Sequence, residues 1–391
     1  MPGAQLGLMR GAERVTACSG RVASDGPEVT PATAFHAGSL AKALAGLVVL
    51  DAARKGKFDL EAPCSDHGPD LWSDSPRALL TQTSGRPNLL PDPDEGLAEF
   101  VRRAGAEPLV HAPGRFSYCN AGWCVLDLLL RRTTGVGFEE SVRQTLGDLT
   151  FDEPQGAAPG HLCLPGQGPV PVPSVYSRAA AAAGATWWAT ADQLLDFASL
   201  HLTDGGGVFD PEDVAAVRGP AAALPGATVF DAWGMGWATW DRGEHHAFGW
   251  AGFTGGHRAY LRCFPGEAAA VALVANGAGP LFGPPGGSAM FDSLLPDLLE
   301  LLGVPPLQAP EYSDAPLPVA DLAGDFGPAQ VQADGERRLQ LVAAPFGQLE
   351  PVSMERLGGN TFAVVGAPPG STPIAFDDDL LYVGPFALPR T

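Results

Sequence analysis

In the first twenty residues, apolar positions alternate with glycine and polar ones at 6–9 and 15–18, a period-two pattern that predicts two strands joined by a turn. The period then changes. Leu40, Ala43, Leu44, Leu47 and Val48 recur at helical spacing, and Gly56 stands where a C-cap is wanted, so residues 39–55 are expected to form a buried helix starting near Ser39. From residue 63 to about 175, helical pieces are interrupted by Pro- and Gly-rich loops such as 87–93 and 154–173. This pattern predicts an all-helical lobe over about 66–175, inserted into an α/β lobe. Thr190 is placed as the N-cap of a helix running to 202, after which strands are expected at 234–239, 248–253, 259–264 and 269–275. The last of these is uniformly apolar, as a central strand would be. An amphipathic helix at 288–302 is expected to cover the sheet.

Prolines and polar residues then mark a linker at 306–320, and a β-rich tail follows, with strands expected at 339–343, 353–357, 361–365 and 380–383. The fold class read from these patterns is α/β (α+β): an antiparallel sheet flanked by helices, an all-helical lobe, and a small C-terminal β domain. The boundaries are 1–305, 306–320 and 321–391. No internal repeat is visible.

Composition narrows the function. Hydrophobic residues at 45% and charged residues at 17% are those of a soluble globular protein of 391 residues, and a net charge of −20 disfavours nucleic acid and anionic lipid as partners. Apolar runs such as 44–50 fall far short of the roughly 20 residues of a membrane span. Arg10, Glu13 and Arg14 interrupt the N-terminal segment before any export-signal pattern develops, so a cytoplasmic location is expected. Cys18, Cys64, Cys119, Cys124, Cys163 and Cys263 are widely spaced and are expected to be free thiols, and neither a metal nor a cofactor is implied.

Three segments carry candidate chemistry. Ser39-Leu40-Ala41-Lys42 puts a hydroxyl and an amine on one face at a helix start, where backbone N–H groups favour negative charge. By itself this motif is equally an N-cap serine followed by a solvated lysine. In Tyr118-Cys119-Asn120, an extended backbone would turn a phenol and an amide to the same side, the phenol for proton transfer and the amide for a substrate carbonyl. A tyrosine packed in a core is the plain alternative. Trp250-Ala251-Gly252-Phe253 reads as a strand whose Gly252 admits a substrate, with a neighbouring N–H as second oxyanion donor beside that of Ser39.

In this order and spacing the segments resemble the serine β-lactamase and penicillin-binding-protein superfamily, in its class C-like branch with related esterases and acyltransferases. Residues 35–42 look like the nucleophile motif, and Leu79-Leu80-Thr81-Gln82-Thr83-Ser84-Gly85 is similar to the family's LLTHTSG segment, with Gln82 in the histidine place. Residues 113–123, 183–192, 233–237 and 271–276 are similar to four further family segments, so the resemblance spans about 15–305, and the tail resembles an appended lipocalin-like domain. It implies a β-lactamase/transpeptidase-like fold and an acyl-enzyme on Ser39, with Lys42 and Tyr118 moving its proton, and it leaves open which of the two is the base.

The departure is at Trp250, where β-lactamases and DD-peptidases carry a Lys or His that pairs with a substrate carboxylate; an indole has no such charge. The function expected is therefore acyl transfer from a small-molecule ester, amide or thioester donor to an amine or alcohol acceptor, as in the chain-releasing or amide-forming enzymes of secondary metabolism. No carrier-protein docking signature is recognisable. A carboxylesterase is the first alternative, a β-lactamase or D-amino-acid peptidase the second, and an inactive binding relative the non-enzyme reading. Asn120, Trp250, Gly252 and Phe253 are the expected substrate-binding residues. Since Ser39, Lys42 and Tyr118 all precede the linker, loss of the tail is expected to leave Ser39 reactive.

Overall fold

The computed structural model describes residues 2–391 apart from 24, 148, 164–167, 174–175, 280–288, 313–314, 344–350 and 368–371. Its main sheet has eight antiparallel strands in the order Glu13–Gly20, Gly3–Arg10, Ala269–Ala275, His257–Phe264, His245–Thr254, Ala238–Arg242, Ala232–Trp233, Ala222–Ala223. The uniformly apolar Ala269–Ala275 strand lies inside the sheet, and both of its faces are covered. Gly7, in register with Ala272, lies against Leu195 of the Ala191–Leu202 helix. Tyr260, in register with Leu273 and so on the other face, stacks on Phe291 of the Ala289–Leu302 helix at 4.7 Å. With no face exposed, alternation has no reason to appear.

The Ala191–Leu202 helix begins as expected, with a capping box of Thr190 and Gln193. The covering helix expected from Ser288 is seen from Ala289, Ser288 being outside the described residues. Helices Pro76–Leu80, Leu97–Gly105, Asn120–Thr134 and Phe138–Leu146 lie in the expected helical lobe, whose end at Val175 is likewise not described; the lobe is not all helical, since Gly160–Leu162 pairs as a strand with Val170–Val172 and with Gly277–Ala278. A second expectation is corrected. Residues 234–237 are a turn and the strand begins at Ala238, because Gly234 N donates to Trp237 O and the turn is wedged against the Ala41–Arg54 helix. At Gly46 of that helix a side-chain carbon would sit 2.1 Å from Met235 O, so the glycine makes the approach possible.

The tail is an eight-stranded meander from Gly324–Phe326 to Phe386–Pro389, each strand paired with the next. A bridge between Phe326 and Arg390 joins its first and last strands, giving a small barrel with a core of its own around Phe326, Leu339, Met354 and Phe362. Four of its strands, Gly324–Phe326, Ala329–Asp334, Ile374–Asp377 and Phe386–Pro389, were not expected from the sequence pattern. The barrel does not stand apart from the rest of the chain: Ala375, Leu380, Tyr382 and Ala387 belong to the main hydrophobic core. Among the described residues no helix is long and apolar enough to cross a membrane.

Candidate active site

Ser39 lies in a single 3-10 turn, Gly38–Leu40, that runs directly into the Ala41–Arg54 helix. The turn is fixed from three sides. His36 accepts from Gly38 N at 3.1 Å through Nδ1, which leaves Nε2 as the donor to Ala185 O at 3.0 Å. Burial keeps this imidazole neutral by drawing its pKa down to about 4. Gly184, with φ of +116°, has room for no side chain, since a Cβ would lie 2.5 Å from Gly38 O and 2.7 Å from Ser39 N. A Cβ at Gly252 would lie 1.9 Å from Ala37 O. These contacts bring two separate chain segments to van der Waals distance of the backbone around Ser39.

The side chains expected to act together do meet. Lys42 Nζ is 3.1 Å from Ser39 Oγ, and Tyr118 OH donates to the same oxygen at 2.8 Å. Lys42 is fully buried, donates to Asn120 Oδ1 at 2.7 Å and to Ala183 O at 2.5 Å, and sits 4.9 Å over the Tyr118 ring. Burial lowers the Lys42 pKa to about 7, against a smaller opposing influence of Cys124 and Cys119. Burial acts oppositely on Tyr118, pushing it well above the ordinary phenol range despite the hydrogen bonds with Ser39 and Trp250. A neutral amine and a protonated phenol can therefore face Ser39 Oγ together near neutral pH.

Asn120 is the first residue of the Asn120–Thr134 helix, so the extended geometry expected for this segment ends at Cys119. Its amide is engaged at both ends, accepting from Lys42 and donating through Nδ2 to Asn88 Oδ1 at 2.9 Å. It orients the lysine. Cys119 is buried with its thiol held up at about 11 by desolvation, in keeping with a packing role beside the tyrosine.

Trp250 and Gly252 share one face of the His245–Thr254 strand, towards Ser39. The indole Nε1 of Trp250 donates to Tyr118 OH at 3.4 Å, and its ring meets Phe230 and Trp233 at 5.3 Å each. Phe253 differs from the expectation. It pairs across the strands with Arg258, and its ring packs on that guanidinium at 4.7 Å and on Tyr260, on the opposite face from Trp250, leaving its backbone as the part near Gly38. The Ala238–Arg242 strand pairs with this strand only as far as Gly249, so among the described residues the backbone from Trp250 to Thr254 has one free edge beside Ser39. That edge and the Ser39 N–H are suitably placed to receive an oxyanion. His257 is buried and bonded to Ala158 O, His245 pairs with Glu267, and neither joins the site.

Sequence reasoning missed Asn88, the Ala183 carbonyl, His36 and Gly184, together with the barrel residues around Tyr118. Pro385 O accepts from Tyr118 N at 2.9 Å, and Phe386 meets the Tyr118 ring edge-on at 5.7 Å. His36, Ala183 and Gly184 lie in segments the family resemblance covers, but their roles are made by contacts that no local pattern marks, and Asn88, Pro385 and Phe386 come from distant segments.

The expected effect of Gly252→Ala follows from this geometry. The methyl group would force the strand away from Ala37, and ester turnover should fall about 10²-fold, the cost of misplacing reacting groups by roughly 1 Å. Steady-state kinetics on a folded variant would check it; an unchanged rate would contradict the close approach.

A family model described as Beta-lactamase matches residues 1–289. Penicillin-binding protein 4 of Amycolatopsis lactamdurans is 28% identical over 364 residues, spanning 83% of this chain and 93% of that protein. The structure of SurE superposes with a TM-score of 0.80 at 24% identity, covering 100% of this chain and 95% of the other. D-amino acid amidase from Ochrobactrum anthropi does so with a TM-score of 0.67 at 19% identity, covering 77% and 93%. At these identities the two structures share the fold.

Proposed function

The chain belongs to the beta-lactamase family, and we propose that it is a serine acyl-transfer enzyme in which a bound amine or alcohol, rather than water, takes the acyl group from Ser39. The observation that carries this reading is the hydrogen-bonded set of Ser39, Lys42 and Tyr118, in which the phenol is held by the Trp250 indole where a cation would otherwise stand.

Ser39 Oγ attacks the donor carbonyl while its proton passes to Lys42 Nζ, which burial keeps available as a neutral amine. The negative charge on the carbonyl oxygen is received by the Ser39 N–H and the free strand edge. Tyr118, still protonated, gives its proton to the leaving group and is reprotonated by Lys42. In the second half the acceptor N–H or O–H surrenders its proton along the same path, its heteroatom bonds to the acyl carbon, and Ser39 is released with its proton restored.

An uncharged, apolar donor suits the indole of Trp250, which presents no charge beside the Tyr118 phenol. SurE has been solved with D-Leu and the D-amino acid amidase with D-phenylalanine. These bound amino acids, each with an apolar side chain, support an apolar aminoacyl ester, amide or thioester as donor. The test is product partitioning: acylate the enzyme with an activated ester, add amines and alcohols at millimolar concentration, and separate products by mass spectrometry. One acceptor capturing most of the acyl group supports transfer, the expected result for a bound nucleophile with its advantage in effective concentration. Free acid across the whole panel would make the enzyme an esterase.

β-Lactam hydrolysis is expected to be poor, about 10²-fold or more below ester turnover, because a buried carboxylate facing an indole has no partner. Efficient turnover of a chromogenic cephalosporin would overturn this.

A further inference from the structure

Resting on the reading of Tyr118 as a proton-handling phenol, we propose that the C-terminal barrel is a positioning element of the active site, in which the turn at 384–387 clamps the segment carrying Tyr118 and Phe386 fixes the phenol ring. Four successive residues before and at the phenol touch the barrel. Arg115 donates to Asp379 Oδ1 at 2.6 Å and to Asp377 O at 3.2 Å; Phe116 O accepts from Tyr382 OH at 2.9 Å. Ser117 Oγ accepts from Ala387 N at 3.3 Å, and Tyr118 N donates to Pro385 O at 2.9 Å. On its other side the same segment is held by Gln82, whose backbone O accepts from Ser117 N at 3.0 Å and whose Oε1 accepts from Cys119 N at 2.7 Å.

The clamp is itself anchored, since Thr228 Oγ1 of the catalytic lobe donates to Gly384 O at 2.9 Å. Phe386 therefore stands on a turn fixed at both ends and meets the Tyr118 ring edge-on, while Trp250 covers the ring from another direction at 5.6 Å. If Phe386 is removed, the phenol gains room to rotate about its side-chain torsions, and the 2.8 Å bond to Ser39 Oγ is the contact that suffers. Removing the whole barrel would also strand the buried Tyr118 N–H without its acceptor. A tail that merely covered the cleft mouth would need none of these main-chain bonds. The independence of Ser39 from the tail, expected from the linker position, is thereby revised.

The experiment uses the full chain with Phe386→Ala, Phe386→Leu, Ser117→Ala and Ser117→Thr. Two readouts are taken: kcat and KM for p-nitrophenyl acetate, and the pH titration of Tyr118 by NMR with ¹³Cζ-tyrosine, the signal assigned with Tyr118→Phe. For Phe386→Ala we expect kcat to fall about tenfold with KM within about twofold, and Tyr118 to titrate at lower pH as water reaches it. Phe386→Leu should recover most of the rate, Ser117→Ala should shift both readouts in the same direction by less, and Ser117→Thr should restore them. A folded Phe386→Ala with wild-type kcat and an unmoved Tyr118 titration would overturn the clamp. Should Phe386→Ala not fold, the serine pair decides on the same two criteria. A wild-type protein inert towards esters would refute the acyl-transfer reading, while the NMR titration would still decide whether the barrel positions the phenol.

Discussion

Ser39→Ala is expected to abolish turnover of p-nitrophenyl acetate and of any natural donor, with kcat falling on the order of 10⁶-fold, as when a covalent nucleophile is deleted from a machinery that acts as a unit. Residual activity would come only from binding and the oxyanion site, because Lys42 and Tyr118 would retain their positions but have no hydroxyl to activate. The substitution is structurally mild. Ser39 donates no cap to its helix and lies in a turn held by His36, Gly184 and Gly252 through backbone contacts that alanine preserves. Intact-mass spectrometry should show one acyl or phosphonyl adduct on the wild type and none on the variant. An adduct on Ser39→Ala would move the nucleophile elsewhere, and buried Cys119 would then be the residue to examine first.

Lys42→Met is expected to lose about 10²–10⁴-fold in kcat/KM, the usual worth of a general base, while keeping the volume of the buried side chain. Its pH profile should also differ. In the wild type kcat/KM should rise as pH increases through about 7, because protonation of Lys42 below that value removes the proton acceptor; the variant should lack this limb. The same shift acts on stability. The folded pKa of about 7 lies below the ordinary lysine value of 10.5, so between these limits the unfolded chain binds the extra proton and stability rises with pH. Denaturant melts at a series of pH values should show that slope in wild type and not in Lys42→Met. A wild-type profile flat from pH 6 to 8 would argue against Lys42 as the base.

The parts of the fold legible in the sequence were those set by a single local pattern. Ala269–Ala275 was readable because a strand covered on both faces is apolar at every position, and Ala191–Leu202 because Thr190 and Gln193 are near enough in sequence to cap it. The turn at 234–237 was misread as strand because its apolar residues answer to Gly46 in another helix, a demand with no trace in the local alternation. In the site, Ser39 and Lys42 were legible because one helical turn brings them together. Tyr118 was a candidate from its own segment, but only the family resemblance joined it to Ser39, since their proximity depends on the whole fold. Asn120 was assigned to substrate because the helix start at that position, which turns its amide to Lys42 and Asn88, was not recognised. The ring of Phe253 was placed in the cleft although the pleat directs it to the face opposite Trp250.

The pairing of the first hairpin has a consequence for biosynthesis. Gly3–Arg10 is made long before one of its two neighbours, Ala269–Ala275. At ~10 residues per second the nascent chain waits on the order of tens of seconds with that apolar edge open. During this interval Leu6 and Leu8 have no downstream partner, and the edge offers itself to any other extended chain nearby. Ser39 meanwhile lacks the Gly252 strand, and Tyr118 lacks Pro385, both of which are made later. Reactivity should therefore switch on only once Pro385 has been made, which would spare the cell a half-made acylating enzyme at the cost of a long exposure to aggregation.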